Sequence, residues 1–107
     1  MDKYDDISVN LEDYVATIKI QRPPNNFFDY LLIGQIADAF NELDENDDCR
    51  SIVLCSEGKH FCAGANFRGE RNLQENIDPI SKLYEEAVRL FRNKKPVVAA
   101  VQGGAIG

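Results

Sequence analysis

The sequence predicts an α/β fold, on three observations. Apolar residues alternate with polar ones near the N-terminus, which is the pattern of a sheet with one covered face. Further along they recur every three or four positions in two separate stretches, which is the pattern of amphipathic helices. Each of those stretches is followed by a short, continuously apolar run rich in β-branched residues, the mark of a buried parallel strand. The resulting order is β-β-α-β-α-β.

The first strand carries Ile7, Val9 and Leu11, and the second Tyr14, Ala16, Ile18 and Ile20, with Glu12-Asp13 as a tight connection between antiparallel partners. Arg22-Pro23-Pro24 ends the hairpin, because proline donates nothing to a strand ladder and restricts the residue before it. Arg22 to Phe28 is therefore an ordered, extended loop. Asp29 is placed to cap a helix whose apolar side is Leu32, Ile36, Phe40 and Leu43, with Gly34 as a mild internal cost. The acidic run Asp44 to Asp48 reads as a solvated loop, and Ile52-Val53-Leu54-Cys55 as a strand covered on both faces. Asp78-Pro79 is a helix start, with Asp as cap and Pro at the first helical position. Ile80, Leu83, Tyr84, Ala87, Leu90 and Phe91 line one side of that helix, and Arg89, Arg92, Lys94 and Lys95 gather at its C-terminal end, where the dipole favours cations. Pro96 closes it, and Val97 to Val101 forms a last strand, parallel to the one before.

Composition narrows the function. Twelve basic against eighteen acidic side chains give a net charge of −6, which disfavours nucleic-acid binding, an affinity that rests on phosphate neutralisation. Three cysteines, Cys49, Cys55 and Cys62, have neither the number nor the spacing of a disulfide framework or a metal site, so a reducing setting is expected and no metal. Met1 to Asp6 is acidic and unlike a signal peptide, and no apolar run approaches the roughly 20 residues that span a bilayer, so the expected location is cytoplasmic, with no membrane partner. The 107 residues hold one small domain at most, and a chain of this size buries only roughly two-thirds of its surface on folding. Its last residues, Gly103 to Gly107, read as the beginning of a loop.

The two parallel strands lead into loops made largely of small residues, Glu57 to Gly69 and Gln102 to Gly107, at the strand ends where open α/β sheets bind ligands. Without side chains in the way, main-chain N–H groups near Gly64-Ala65 and Gly103 to Gly107 can converge on one carbonyl oxygen as an oxyanion hole. The alternative is that small residues merely permit tight turns and close packing. A dinucleotide site is disfavoured, since Gly103-Gly104 lacks the G-x-G-x-x-G pattern and no helix follows. His60 with Cys62 lacks a third group to orient the histidine as a nucleophile pair requires, and Glu85-Glu86 reads as a solvated helix face.

Lys59-His60-Phe61-Cys62-Ala63-Gly64-Ala65-Asn66-Phe67, followed after a helix by Lys95-Pro96-Val97-Val98-Ala99-Ala100-Val101-Gln102-Gly103, closely resembles the enoyl-CoA hydratase/isomerase (crotonase) superfamily. The first segment matches that family's F-x-A-G-A-D loop and the second its K-P-x-(I/V)-A-A-V-x-G segment, and Arg22-Pro23 is similar to its R-P loop. The resemblance implies a crotonase-like spiral of β-β-α turns that binds acyl-CoA thioesters and stabilises an enolate-like anion, with residues 1–107 the N-terminal portion of one such domain and the rest absent from this chain. It makes the Ala65 N–H one oxyanion donor and places the second immediately after Gly107. Ala63, Gly64, Ala65 and Asn66 correspond to the part that cups the adenine end of CoA, and Lys59 and Arg68 fall near its phosphates. Asn66 stands where the family usually has Asp, and Asn25-Asn26-Phe27-Phe28 replaces its N-A-L type of sequence.

The activity implied is that of an enoyl-CoA hydratase, with CoA as part of the substrate, no separate cofactor, and a homotrimer or hexamer as the assembly. Isomerase, decarboxylase and thioester hydrolase members share these segments, and the acidic residues that hydratases use for proton transfer fall beyond them. Two other readings are a noncatalytic CoA-binding or assembly fragment, and a protease-like relative of the same spiral; the latter needs a nucleophilic serine after the second loop, which the chain does not contain. A piece of such a domain is expected to expose apolar surface around Val97 to Val101.

Overall fold

The computed structural model describes residues 3–23, 26–64 and 79–106. Its elements are β1 (Ile7–Glu12), β2 (Val15–Ile20), α1 (Tyr30–Asp44), β3 (Ser51–Ser56), α2 (Pro79–Leu90) and β4 (Val97–Ala99), in the order the sequence predicts. One sheet holds these strands in the order β1-β2-β3-β4, antiparallel in the first pair and parallel in the other two.

The hairpin register runs from Ile7↔Ile20 to Glu12↔Val15, which leaves Asp13 and Tyr14 as a two-residue turn. Both have positive φ, 53° and 69°, the hand that matches the twist of the flanking strands. Tyr14 thus belongs to the turn and not to β2, where the alternation puts it. Its ring lies 4.3 Å from the Arg50 guanidinium and its carbonyl accepts the Arg50 N–H at 2.8 Å, tying the hairpin to the start of β3.

Helix α1 begins where the sequence says. The Asp29 carboxylate accepts the Leu32 N–H at 2.9 Å from an extended backbone, satisfying one of the donors that a helix start leaves open. Leu32, Ile36, Phe40 and Leu43 are buried against Ile7, Val9, Ala16, Ile18, Ile20 and Ile52, all on one face of the sheet. At the other end of α1, the Lys95 ammonium donates to the carbonyls of Leu43 and Asn46, while the Lys94 and Lys95 N–H groups reach the Asp44 carboxylate. These lysines, expected at the end of α2, therefore close α1, because the chain after α2 returns beside the open carbonyls of the earlier helix.

Helix α2 packs chiefly on α1, so its apolar side is only partly used. Leu90 reaches the core, whereas Ile80, Tyr84, Val88 and Phe91 are exposed, Phe91 to 87%. The solvated face read for Glu85-Glu86 holds for Glu85 alone. Glu86 is buried at 9% exposure, paired with Arg89 at 2.6 Å and Lys82 at 3.6 Å, and Gly34 of α1 gives it room. Asp78, the cap read for α2, lies outside the described residues.

The two-sided cover expected of β3 is not found, whereas the apolar surface expected to be exposed around Val97 to Val101 is. Ile52 alone is fully buried in β3, and Val97, Val98 and Val101 are 36%, 62% and 53% exposed. Layering is the cause: α1 packs over β1 and β2, α2 lies on α1, and β4 at the sheet edge receives little cover from the described residues. The last strand also stops at Ala99, short of Val101, because its pairing with β3 ends at Leu54↔Ala99. Among the described residues no helix is long and apolar enough to cross a membrane.

Candidate active site

Strands β3 and β4 are parallel neighbours, so the loops that follow them leave the same edge of the sheet. They then stay together. Phe61 N–H donates to the Gln102 carbonyl at 2.9 Å, Cys62 N–H to the Gly104 carbonyl at 3.1 Å, and Ile106 N–H to the Cys62 carbonyl at 2.9 Å. Cys62 and Ala105 form a parallel bridge. The two small-residue loops picked out by composition are thus interlocked by main-chain hydrogen bonds.

A third segment, between β2 and α1, supports the first loop. Asn26 is fully buried, with φ of 54°, and its side-chain amide donates to the carbonyls of Glu57 at 2.5 Å and His60 at 2.7 Å. Its side-chain oxygen accepts the Arg22 N–H at 2.9 Å. Farther on, Phe28 N–H donates to the Gly64 carbonyl at 2.9 Å. Sequence reasoning missed Asn26 as a site-building residue. The available signal was an amide side chain, tolerant of left-handed backbone, just after two prolines.

Arg22 locks that segment to the core. Its guanidinium pairs with Asp6 at 2.8 Å and Asp29 at 2.9 Å and donates to the Phe27 carbonyl at 3.1 Å, with both carboxylates buried. The arginine of the R-P segment therefore joins the residue before β1, the cap of α1 and the loop.

Two glycines meet conditions that other residues do not. Gly64 has φ of 111°, and Gly103 has φ of 59°. A Cβ on Gly103 would collide with the Lys59 carbonyl oxygen and come within 2.8 Å of His60 Nδ1. Gly103→Ala is expected to cost about 3 kcal/mol, from left-handed backbone and a shift of the first loop. The urea unfolding midpoint measures it, and a change below about 1 kcal/mol would mean that the loops are not held this closely.

The main-chain donors divide into engaged and unengaged. Gly64 N–H points at Cys62 Sγ at 3.4 Å, Gly104 N–H at His60 Nδ1 at 2.8 Å, and Ile106 N–H at the Cys62 carbonyl. The last two hold the second loop to the first and the Gly64 N–H is turned back on its own loop, so these three are engaged within the protein. His60 and Cys62 are likewise structural here: the imidazole accepts from Gly104, and burial pushes the Cys62 thiol up, away from the thiolate a nucleophile needs.

Of the binding residues read from the sequence, Gly64 is buried, Ala63 half-buried and Lys59 exposed, all on the first loop. Ala65, Asn66, Arg68 and Gly107 lie outside the described residues. Among the described residues no group of three or more His, Cys, Asp or Glu is placed to hold a metal ion. A surface depression lined by Lys3, Tyr4, Asp5, Gln35, Asp38, Asn41 and Glu42 shares no residue with either loop.

A sheet whose parallel strands end in two interlocked small-residue loops defines an α/β protein. The chain belongs to the enoyl-CoA hydratase/isomerase family, which matches residues 10–107. It is 30% identical over 105 residues to a Bacillus subtilis (strain 168) protein named "Probable enoyl-CoA hydratase", covering 94% of this chain and 40% of that one. It is 29% identical over 110 residues to the 1,2-epoxyphenylacetyl-CoA isomerase of Escherichia coli (strain K12), covering 92% of this chain and 40% of the relative. The solved structure of an enoyl-CoA hydratase from Shewanella pealeana ATCC 700345 superposes with a TM-score of 0.80 at 26% identity, over 98% of this chain and 42% of that one. The fold is therefore crotonase-like, and this chain holds part of it. It spans about 40% of the length of these curated relatives, whose names include both hydratase and isomerase reactions.

Proposed function

We propose that the protein carrying this chain binds acyl-CoA thioesters and stabilises an enolate-like anion through main-chain donors, with hydration of a 2-enoyl-CoA as the leading reaction. The observation that carries this reading is the interlocking of the Phe61–Gly64 and Gln102–Ile106 loops beside the sheet edge in a member of this family. The family resemblance assigns Ala65 N–H as the first-loop donor to the thioester oxygen, and the neighbouring Gly64 N–H is engaged with Cys62 Sγ. Lys59, Ala63, Gly64, Ala65, Asn66 and Arg68 are the proposed CoA-binding set, the two cations serving its phosphates. An isomerase, decarboxylase or thioester hydrolase would use the same anion-stabilising part and differ in its acids and bases. We further assign the protein to the cytoplasm and to a homotrimer or hexamer.

Calorimetry with CoA and a hydration assay with a short 2-enoyl-CoA test this reading. Saturable CoA binding with loss of the conjugated thioester absorbance is the expected result. Binding without hydration would move the assignment to another reaction of the family, and no CoA binding would overturn it.

A further inference from the structure

We propose that His60 is a positioning residue: its neutral imidazole accepts the Gly104 N–H at Nδ1 and so holds the second glycine loop in register with the first, and protonation of the ring releases that hold. The geometry is specific. The Gly104 N–H to Nδ1 distance is 2.8 Å, and a Cβ on Gly104 would stand 3.2 Å from the same nitrogen, so the ring sits directly against bare main chain. His60 is itself fixed to its own loop, since its carbonyl accepts from Asn26 Nδ2 at 2.7 Å and Ser56 Oγ at 3.3 Å. One end of the residue belongs to the first loop and the other grips the second.

A neutral imidazole has one donor and one acceptor nitrogen, so accepting at Nδ1 puts the proton on Nε2. A protonated ring donates from both nitrogens, and Nδ1–H would then face Gly104 N–H. The hydrogen bond is lost and two like dipole ends meet. Among the described residues, charged groups on the packed segments are few. Glu57 and Lys59 share the loop of His60, and Gln21 donates to the Glu57 carboxylate. Arg22, on the segment that carries Asn26, is held by Asp6 and Asp29. The segment Gln102 to Ile106 carries no titratable side chain.

The latch stands on this geometry alone, whereas its effect on turnover rests on the acyl-CoA reading above. Histidine occurs once in the sequence, so isotopically labelled histidine in the full chain reports a single imidazole by NMR. With the ring neutral the Nε2–H tautomer is expected, and when acid protonates the ring the Gly104 amide signal should shift together with the imidazole signals. Hydrogen-exchange protection of Gly104 should fall about tenfold across that transition. In His60→Asn the side-chain oxygen takes the place of Nδ1, and protection should persist without pH dependence. In His60→Phe it should be lost at every pH. An Nδ1–H tautomer, or a Gly104 amide indifferent to the titration, overturns the proposal, and both are read on the unaltered protein.

Turnover separates the two readings. If Gly104 tracks the imidazole and no acyl-CoA reaction is found, the latch stands and the function assignment fails. If hydration occurs while Gly104 ignores His60, the reverse holds. With both present, kcat/KM should decline in acid with the imidazole's midpoint, and His60→Asn should remove that decline.

Discussion

Asn26→Ala is expected to lower the stability of the chain by about 4 kcal/mol, a large share of the roughly 5 to 15 kcal/mol that holds a domain together. The side chain is fully buried and makes three hydrogen bonds, to the carbonyls of Glu57 and His60 and from the Arg22 N–H. His60 keeps a second donor in Ser56 Oγ, so its carbonyl is not orphaned. Glu57 and Arg22, both only partly buried at these contacts, lose the partners that the amide supplied, and each of the three hydrogen bonds lost is worth about 1 kcal/mol. Alanine at φ of 54° adds about 1 kcal/mol, because asparagine tolerates left-handed backbone better. Asn26→Asp should do no better, since a carboxylate oxygen would then face two carbonyl oxygens. Asn26→Gly removes the backbone penalty and should recover about 1 kcal/mol of the loss, which separates conformation from hydrogen bonding. Urea unfolding with unchanged slope measures all three. A loss below about 1 kcal/mol in Asn26→Ala would show that the Glu57–His60 loop does not depend on this residue.

The same residue marks where sequence reading ran out. Element order, the Asp29 cap and the parallel pairing were legible because each rests on a local signal: a period, a capping side chain, a continuously apolar run. What lay beyond reach depends on which distant segment arrives alongside. Lys95 looks like a C-terminal cation of α2 in the sequence and closes α1 in the fold, from more than forty positions away. Glu86 looks solvated and is buried, because Gly34 on another helix leaves it a seat. Tyr14 fits the alternation of β2 but is drawn into the turn by the register of Glu12↔Val15. Gly/Ala composition picked out two loops that the fold brings together, and composition carries no information about which of their N–H groups are engaged within the protein.

Asn26 and Arg22 tie the segment between β2 and α1 to the first loop and to the core, and three main-chain hydrogen bonds tie the first loop to the second. The donors consumed in this way are the ones that make the loops rigid. Preorganisation is what lets a main-chain donor act on developing charge without reorganising when the reaction occurs.

The proposed role of Ala65 makes the sharpest functional prediction. Proline at this position removes the N–H, and kcat for the acyl-CoA reaction should fall about 100- to 1,000-fold, the usual effect of deleting one oxyanion donor. KM should change little, because charge on the thioester oxygen is greatest in the transition state and a donor aimed there adds little to ground-state binding. Gly64, the residue before, already has φ of 111°, a backbone open to glycine, so the restriction that proline places on its predecessor falls on the most permissive residue type. Should the ring itself disturb the loop, a backbone ester at position 65 removes the same N–H with almost no change in shape, and Ala65→Ser retains it. The ester should reproduce the loss in kcat and Ala65→Ser should stay within about threefold of the parent. If the ester variant keeps full activity with its unfolding midpoint unchanged, Ala65 N–H is not a donor to the anion, and the oxyanion assignment on the first loop is wrong.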